Sequence, residues 1–264
     1  MKVPTLQELL EAGAHFGHQA ARWHPKMAQY IFGVRSGIHV INLERTQEEL
    51  EHVLNFVKEI ASKGGTVLFI GTKSQSKKYV KAAAEDCGMP HVTERWLGGM
   101  LTNFKQIRET VDRYLKLKEQ KEKGELGKYT KLERLMIARE IEDYDVKVGG
   151  IAQMKKKPDA VFVTDVRFDK TAVMEANACQ IPVIGVCDTN VNPVRIQHVI
   201  PMNDDAVRAI ELVTRLMAEA IKEGKANPAV PETKTGERKN VNIEKKPVVK
   251  EEKKEAEKET APQS

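Results

Sequence analysis

Cysteine is scarce in this chain, and its spacing excludes two common roles. The 264 residues include three cysteines, Cys87, Cys179 and Cys187, and no two of them form a C-x-x-C pair. This wide separation is unlike a zinc ribbon or a disulfide framework and is typical of reduced thiols in a cytosolic protein. We therefore expect a fold that does not depend on disulfides.

Long apolar runs are also missing. Residues 1–5 lack the apolar core of a signal peptide, and no stretch approaches the roughly 18 apolar residues that a membrane span needs. We therefore expect a cytoplasmic protein with no membrane partner. Aromatic residues make up 5% of the chain and charged residues 31%, so much of the surface must be ionic.

The signatures of several enzyme classes are absent. The sequence has no G-x-S-x-G elbow, no G-x-G-x-x-G fingerprint, no Walker P-loop and no cysteine with an obvious histidine partner. We therefore predict no catalytic residues. One alternative stays open, because the loop from Gly71 to Ser76 follows a buried strand and precedes a helix that starts with lysines. Such a loop can hold a phosphate, as in a nucleotide-binding α/β enzyme.

Apolar strands alternate with amphipathic helices through most of the chain. The pattern predicts strands at residues 66–70, 91–93, 159–165, 181–188 and 198–200, and helices at 5–14, 46–62, 77–87, 169–179 and 203–223. This alternation predicts an α/β fold with a largely parallel sheet of about five strands. An N-terminal hairpin, with strands at 30–34 and 38–43, comes before it.

The pattern changes after Phe104. Two apolar stripes separated by a glycine-containing break predict an antiparallel helical hairpin, or coiled coil, with one thin seam. The second stripe comprises Leu132, Leu135, Met136 and Ile141. A hairpin that projects from the core and a plain solvated helix pair fit this seam equally well.

These patterns divide the chain into three predicted parts. Residues 1–103 and 148–224 form the predicted sheet domain, and residues 104–147 form the inserted helical hairpin. Residues 225–264 carry prolines and mixed charges without an apolar period, which predicts a disordered tail.

The stretch RWLGGMLTNF, residues 95–104, joins the sheet to the hairpin. Gly98 and Gly99 permit a sharp reversal of the chain, and we expect Thr102 or Asn103 to cap the helix that follows. We interpret Trp96 and the two glycines as structural residues.

Positive charge is concentrated although the net charge is only +5. Residues 61–118 contain eleven basic and five acidic residues, and further cations lie near Trp23. Cations on loops and helix starts beside aromatic residues suit contacts with structured RNA. The predicted RNA-binding residues are Arg22, Trp23, Lys26, Arg35, Lys73, Lys77, Arg95, Lys105 and Arg108. An ordinary solvated surface is the alternative.

Acidic residues follow two successive predicted strands. Asp188 ends one strand, and Asp204 and Asp205 follow the next, so we expect their carboxylates to meet at the carboxyl edge of the sheet. With His18 they form a candidate site for a zinc or magnesium ion. In the alternative, Asp204 and Asp205 occupy the first turn of a helix, where the helix dipole favours acids.

Several short motifs, read in order, carry a resemblance. They are AGAHFGHQ at 12–19, WHPKM at 23–27, YIFG at 30–33, GTK at 71–73, RWLGGMLTNF at 95–104, PDA at 158–160, EAN at 175–177, IPV at 181–183, DTN at 188–190 and IPMNDDA at 200–206. Together they resemble the family of the second protein of the small ribosomal subunit, bacterial type. The resemblance covers about residues 3–223, and the tail shows no match.

The resemblance implies a flavodoxin-like parallel sheet with an inserted helical hairpin and a structural, non-catalytic role. It implies binding to ribosomal RNA between the head and body of the 30S subunit, beside other small-subunit proteins. It also implies a docking surface for the large ribosomal protein of repeated oligonucleotide-binding (OB) barrels that recruits messenger RNA. We place the candidate metal at that contact, and we expect no obligatory cofactor and no homo-oligomer.

Overall fold

The N-terminal part of the chain forms a short helix and a small antiparallel sheet. The computed structural model describes residues 3–228. The elements are α1 (Leu6–Glu11), β1 (Phe16–Gln19), β2 (Ile31–Arg35) and β3 (Ile38–Ile41). The predicted hairpin is β2–β3, and β1 adds a third strand on the other side of β3. Sequence reasoning missed β1 because its sequence, FGHQ, shows no apolar alternation.

The rest of the described chain alternates strands and helices. In order these are α2 (Leu43–Ser62), β4 (Val67–Ile70), α3 (Lys77–Cys87), β5 (His91–Val92), α4 (Phe104–Glu122), α5 (Lys131–Val148), β6 (Ala160–Val163), α6 (Lys170–Ala178), β7 (Val183–Cys187), β8 (His198–Pro201) and α7 (Val207–Ala226). The five strands are parallel in the order β5-β4-β6-β7-β8. This is the flavodoxin-like strand order, so the predicted fold class is confirmed.

Helices cover both faces of the parallel sheet. Helices α2, α3 and α7 bury side chains such as Val57, Val80 and Ile221 against one face. Helix α6, the first half of α4 and the loop before α4 pack on the other face, through residues such as Val173 and Leu101. Because both faces are covered, β4, β6 and β7 are buried along their whole length, which explains their continuous apolar sequences. None of the helices within residues 3–228 has the length and apolar character needed to cross a membrane.

Helix α2 starts earlier than predicted. It begins at Leu43, and the side chain of Asn42 caps it by accepting a hydrogen bond from the amide of Glu44. Thr46, the predicted start, lies inside the helix, where its hydroxyl donates to the carbonyl oxygen of Pro201 at 2.6 Å. The threonine therefore joins α2 to the end of β8 instead of capping the helix.

Helix α7 starts later than predicted, and the placement of two acids in its first turn is wrong. The helix begins at Val207, and both Asp204 and Asp205 precede it. The side-chain oxygen of Asn203 accepts hydrogen bonds from the amides of Asp205 and Ala206, which holds this segment in a turn of its own. Most of the predicted tail, from residue 229 onward, lies outside the described residues.

Helices α4 and α5 pack as an antiparallel pair. The Tyr114 hydroxyl donates to the Asp145 carboxylate, and Arg113 pairs with Glu140 at 2.7 Å. The buried residues of the pair, which include Ile141, lie in the halves nearest the sheet. The predicted seam of α5 is partly wrong, because its far half does not reach the core. Three residues of that seam are exposed: Leu132, Leu135 and Met136.

Candidate functional site

Five ionisable side chains from loops at the carboxyl end of the parallel sheet meet His18, which lies on β1. Parallel strands end at one edge, so residues that are distant in sequence converge there. We call the group the carboxylate cluster; it consists of His18, Lys73, Asp165, Asp188, Asp204 and Asp205. Three of these aspartates are buried. The predicted convergence of the strand-end acids with His18 is therefore present in the structure.

Lys73 is the counter-ion of the carboxylate cluster. Its Nζ lies 2.8 Å from Asp165, 3.2 Å from Asp204 and 2.7 Å from Asp205, and its side chain is 16% exposed. Burial opposes the charged form, but the hydrogen bonds from the ammonium to Asp165 and Asp205 outweigh it and raise the pKa of Lys73. The ammonium is thus engaged inside the protein, which disfavours the RNA contact predicted for this residue.

His18, Asp188 and Asp204 lie close enough together to hold a metal ion. One ligand atom from each of the three lies within 4.8 Å of the others. Nδ1 of His18 is 3.0 Å from Oδ2 of Asp188, and Nε2 is 3.8 Å from Oδ2 of Asp205. Oδ2 of Asp188 is buried and accepts no well-directed hydrogen bond from residues 3–228. An imidazole nitrogen with carboxylate oxygens is a donor set that suits zinc.

The electrostatics of the carboxylate cluster also favour an added cation. Four carboxylates face one lysine and one histidine. The contact with Asp188 raises the pKa of His18. Burial, with the neighbouring charges of Asp165 and Asp188, raises the pKa of Asp204 to about 7. A bound cation would relieve the repulsion between the buried acids.

The candidate phosphate loop is filled by the protein's own carboxylates. The amide and hydroxyl of Thr72 donate to Asp169 at 3.3 and 2.6 Å, and the Ser76 hydroxyl donates to the carbonyl oxygen of Lys73. Lys73 itself pairs with aspartates. A phosphate placed here would meet an acidic site, which argues against the nucleotide-binding alternative.

A single carboxylate on α6 organises the loop before α4. Oε1 of Glu175 accepts hydrogen bonds from Nε1 of Trp96 at 3.0 Å and from the amide of Gly99 at 2.8 Å. Oε2 accepts from the amide of Leu101 at 3.0 Å and from the amide and hydroxyl of Thr102, each at 3.2 Å. Burial opposes ionisation, but these donors outweigh it and lower the pKa of Glu175.

This carboxylate explains the composition of the 95–104 motif. Gly99 adopts a φ of +88°, which favours glycine, and so turns its amide toward Glu175. Thr102 binds Glu175 instead of capping α4, and Asn103 occupies the N-cap position without a side-chain hydrogen bond. Sequence reasoning missed this role of Glu175; the available signal was a lone acid among the mostly apolar residues of a short helix.

The predicted RNA-binding residues fall into two groups. The exposed cations, which make no ion pair within residues 3–228, are Arg22, Lys26, Arg35, Arg95 and Lys105. Trp23 is 40% exposed, with one side of its ring beside His39. These six residues are available to a partner.

The remaining cations have partners inside the protein. Lys77 lies 2.6 Å from Glu94. Arg108 pairs with Asp112 and donates to the carbonyl oxygens of Ala152 and Met154, which ties α4 to the segment after α5. Like Lys73, Lys77 and Arg108 therefore make contacts within the protein that stabilise the fold.

The fold and motifs match one protein family. The family model described as ribosomal protein S2 matches residues 9–224. The chain belongs to the ribosomal protein S2 family. It is therefore a structural protein of the small ribosomal subunit with a role in translation, and it associates on the ribosome with ribosomal RNA and other ribosomal proteins. Proteins of the S2 family are in general not enzymes.

Proposed function

We propose that this S2-family protein binds small-subunit ribosomal RNA directly, between the head and body of the subunit. The observation that carries the proposal is the family match over residues 9–224. The five exposed cations without ion pairs in the described chain support it, because a free guanidinium or ammonium group can bind phosphate without first breaking an internal pair. Three of them, Arg22, Lys26 and Arg35, lie on the N-terminal sheet or the segment that joins its strands.

The first test removes these three N-terminal cations. The variant Arg22→Ala/Lys26→Ala/Arg35→Ala is expected to bind small-subunit RNA more weakly. The slope of log affinity against log salt should become shallower by about 0.7–0.9 for each phosphate that the variant no longer binds. Filter binding of the full-length protein between about 50 and 200 mM salt measures both quantities.

A charge-matched control separates specific contacts from net charge. Lys63, Lys156 and Lys222 are also exposed, but each pairs with an acid of the protein. Their triple alanine variant removes the same charge and is expected to retain most of the affinity. Equal losses in the two variants would show that these N-terminal cations make no particular contact with the RNA.

We also propose a protein-docking surface on the antiparallel sheet. Phe16 on β1 and both Phe32 and Val34 on β2 are more than half exposed, and exposed apolar groups of this kind mark interaction sites. Phe16 lies two residues before His18, so the apolar surface is continuous in sequence with the candidate metal site. The proposed partner is the large OB-repeat ribosomal protein that recruits messenger RNA.

A metal ion is part of this docking proposal. His18, Asp188 and Asp204 would hold zinc or magnesium, with Asp205 beside them. When bound, the ion would supply a positive charge that fixes β1 to the loops after β7 and β8. This would stabilise the sheet that carries Phe16 and Phe32.

The docking proposal is tested by metal content and partner binding together. Asp188→Asn is expected to lose metal after dialysis, measured by elemental analysis, and to bind the OB-repeat protein more weakly. Phe32→Ala should keep the metal and lose only partner affinity. Asp143→Asn, at an exposed acid of α5, is the control. Unchanged metal content in Asp188→Asn would refute the metal site, and unchanged partner binding in Phe32→Ala would refute the surface.

A further inference from the structure

An open groove of about 700 Å³ lies beside the carboxyl end of the parallel sheet, outside the carboxylate cluster. None of the residues that line this groove is acidic, and four of them are cations: Arg22, Arg167, Lys170 and Arg195. All four are exposed and have no ion pair with any residue of the described chain. Like charges gathered in one concave site repel each other, and an anionic ligand removes that repulsion.

The floor of the groove is apolar, and part of its wall is aromatic. Val166, Val173 and Ile196 form buried parts of the lining, while Trp23 and Met174 are exposed. Asn190 also lines the groove, and its side-chain oxygen is buried without a hydrogen-bond donor from residues 3–228. A ligand of this site therefore combines negative charge with a flat apolar part. The volume falls within the range of about 300–1,000 Å³ typical of small-ligand sites.

The start of α6 adds to the positive potential. Lys170 is the first residue of this nine-residue helix. The preceding Asp169 does not cap the helix, because its carboxylate accepts hydrogen bonds from Thr72 instead. The first turn thus keeps amide donors without a side-chain cap, at the positive end of the helix dipole.

We infer that this groove binds one unstacked nucleotide of an RNA chain. Its phosphates lie on the four cations and its base packs against Trp23. An RNA duplex does not offer this combination, because its bases are stacked inside the helix, whereas single-stranded loops and bulges expose them. The inference rests on the proposed RNA-binding function and identifies a second contact surface, of which only Arg22 and Trp23 were predicted from sequence.

The test compares two charge-matched variants of the full-length protein. Arg167→Ala/Arg195→Ala removes two groove cations, and Lys63→Ala/Lys222→Ala removes two ion-paired cations elsewhere. The probes are a hairpin RNA with a uridine loop, a fully paired duplex, and AMP as a free nucleotide. For the loop RNA we expect the groove variant to lose on the order of ten-fold in affinity and the control to change less than about three-fold.

Trp23 supplies a second, independent readout. Binding of the loop RNA should quench tryptophan fluorescence in the wild-type protein. Trp23→Ala should lose this quenching and on the order of ten-fold in affinity, while Trp23→Phe should restore most of the affinity. The duplex should show neither effect.

The results of these experiments distinguish a failure of the groove inference from a failure of the proposed RNA-binding function. If the groove variant binds the loop RNA like the control while the wild-type protein binds small-subunit RNA, the groove inference is wrong and the proposed function stands. A wild-type protein that binds no RNA overturns both. If AMP competes at concentrations comparable to those of the loop RNA, the site takes free nucleotides and the inference about an RNA chain is overturned.

Discussion

Glu175→Ala is expected to lower the free energy of unfolding by about 3–5 kcal/mol at neutral pH. The substitution leaves the Trp96 indole, the amides of Gly99 and Leu101, and both donors of Thr102 without their acceptor. Each buried donor left unpaired costs about 1–3 kcal/mol, although water can satisfy some of them after the loop relaxes. Urea denaturation measures the loss as a lower midpoint at an unchanged slope.

Two further variants define what Glu175 contributes. Glu175→Gln keeps the shape and one acceptor oxygen but turns an amide NH₂ toward donors, so we expect it to lose about half as much stability. Glu211→Ala removes an exposed glutamate from α7 and should change stability by no more than about 0.5 kcal/mol. A Glu175→Ala loss as small as that of Glu211→Ala would show that the hydrogen bonds to this carboxylate are not needed for the fold.

The pH dependence of this loss has a definite sign. Because the folded protein lowers the pKa of Glu175 from its ordinary value of 4.5, ionised Glu175 stabilises the folded state above that value. Its contribution is lost as the pH falls through the lower pKa of the folded protein. The difference between wild-type protein and Glu175→Ala should therefore be constant near pH 7 and shrink below about pH 4.5.

The elements of the fold were predictable because their causes are local. A strand covered on both faces needs an unbroken apolar sequence, and an amphipathic helix needs a period near 3.6 residues. The exposed seam of α5 shows the limit of this reasoning. Leu132, Leu135 and Met136 have the right spacing, but spacing does not reveal whether a neighbouring element reaches them.

The pairings that build the sites were beyond a local pattern. Lys73 and Asp165 are 92 residues apart, and Trp96 and Glu175 are 79 apart. The charge count over residues 61–118 therefore grouped Lys73, whose partners lie in the loops after β6 and β8, with unpaired cations such as Arg95. For the same reason the count overlooked Arg167 and Arg195, which line one groove with Arg22 although they lie far from it in sequence. The strand-end acids were an exception, since the parallel order itself brings their loops to one edge.

Lys73 provides the sharpest test of this distinction between structural and RNA-binding cations. Lys73→Met removes the ammonium that contacts Asp165, Asp204 and Asp205. Removal of one partner from a buried ion pair costs about 3–5 kcal/mol, because the remaining charge stays buried without compensation. We therefore expect a stability loss of that size for Lys73→Met in urea denaturation. Lys77→Met, which breaks the more exposed pair with Glu94, should lose no more than about 1 kcal/mol.

A double variant and an RNA measurement complete this test of Lys73. Lys73→Met/Asp165→Asn removes the cation and one of its carboxylates together, so its loss should be smaller than the sum of the two single losses. In RNA binding, Lys73→Met should keep the salt dependence of the wild-type protein at temperatures where it is folded, whereas Arg95→Ala should weaken that dependence. The opposite result, a stable Lys73→Met protein with a shallower salt dependence, would mean that the ammonium leaves its aspartates to bind phosphate. We expect the ammonium of Lys73 to stay with its aspartates. If it moved to a phosphate at the surface, three carboxylates, two of them buried, would repel each other without a counter-ion.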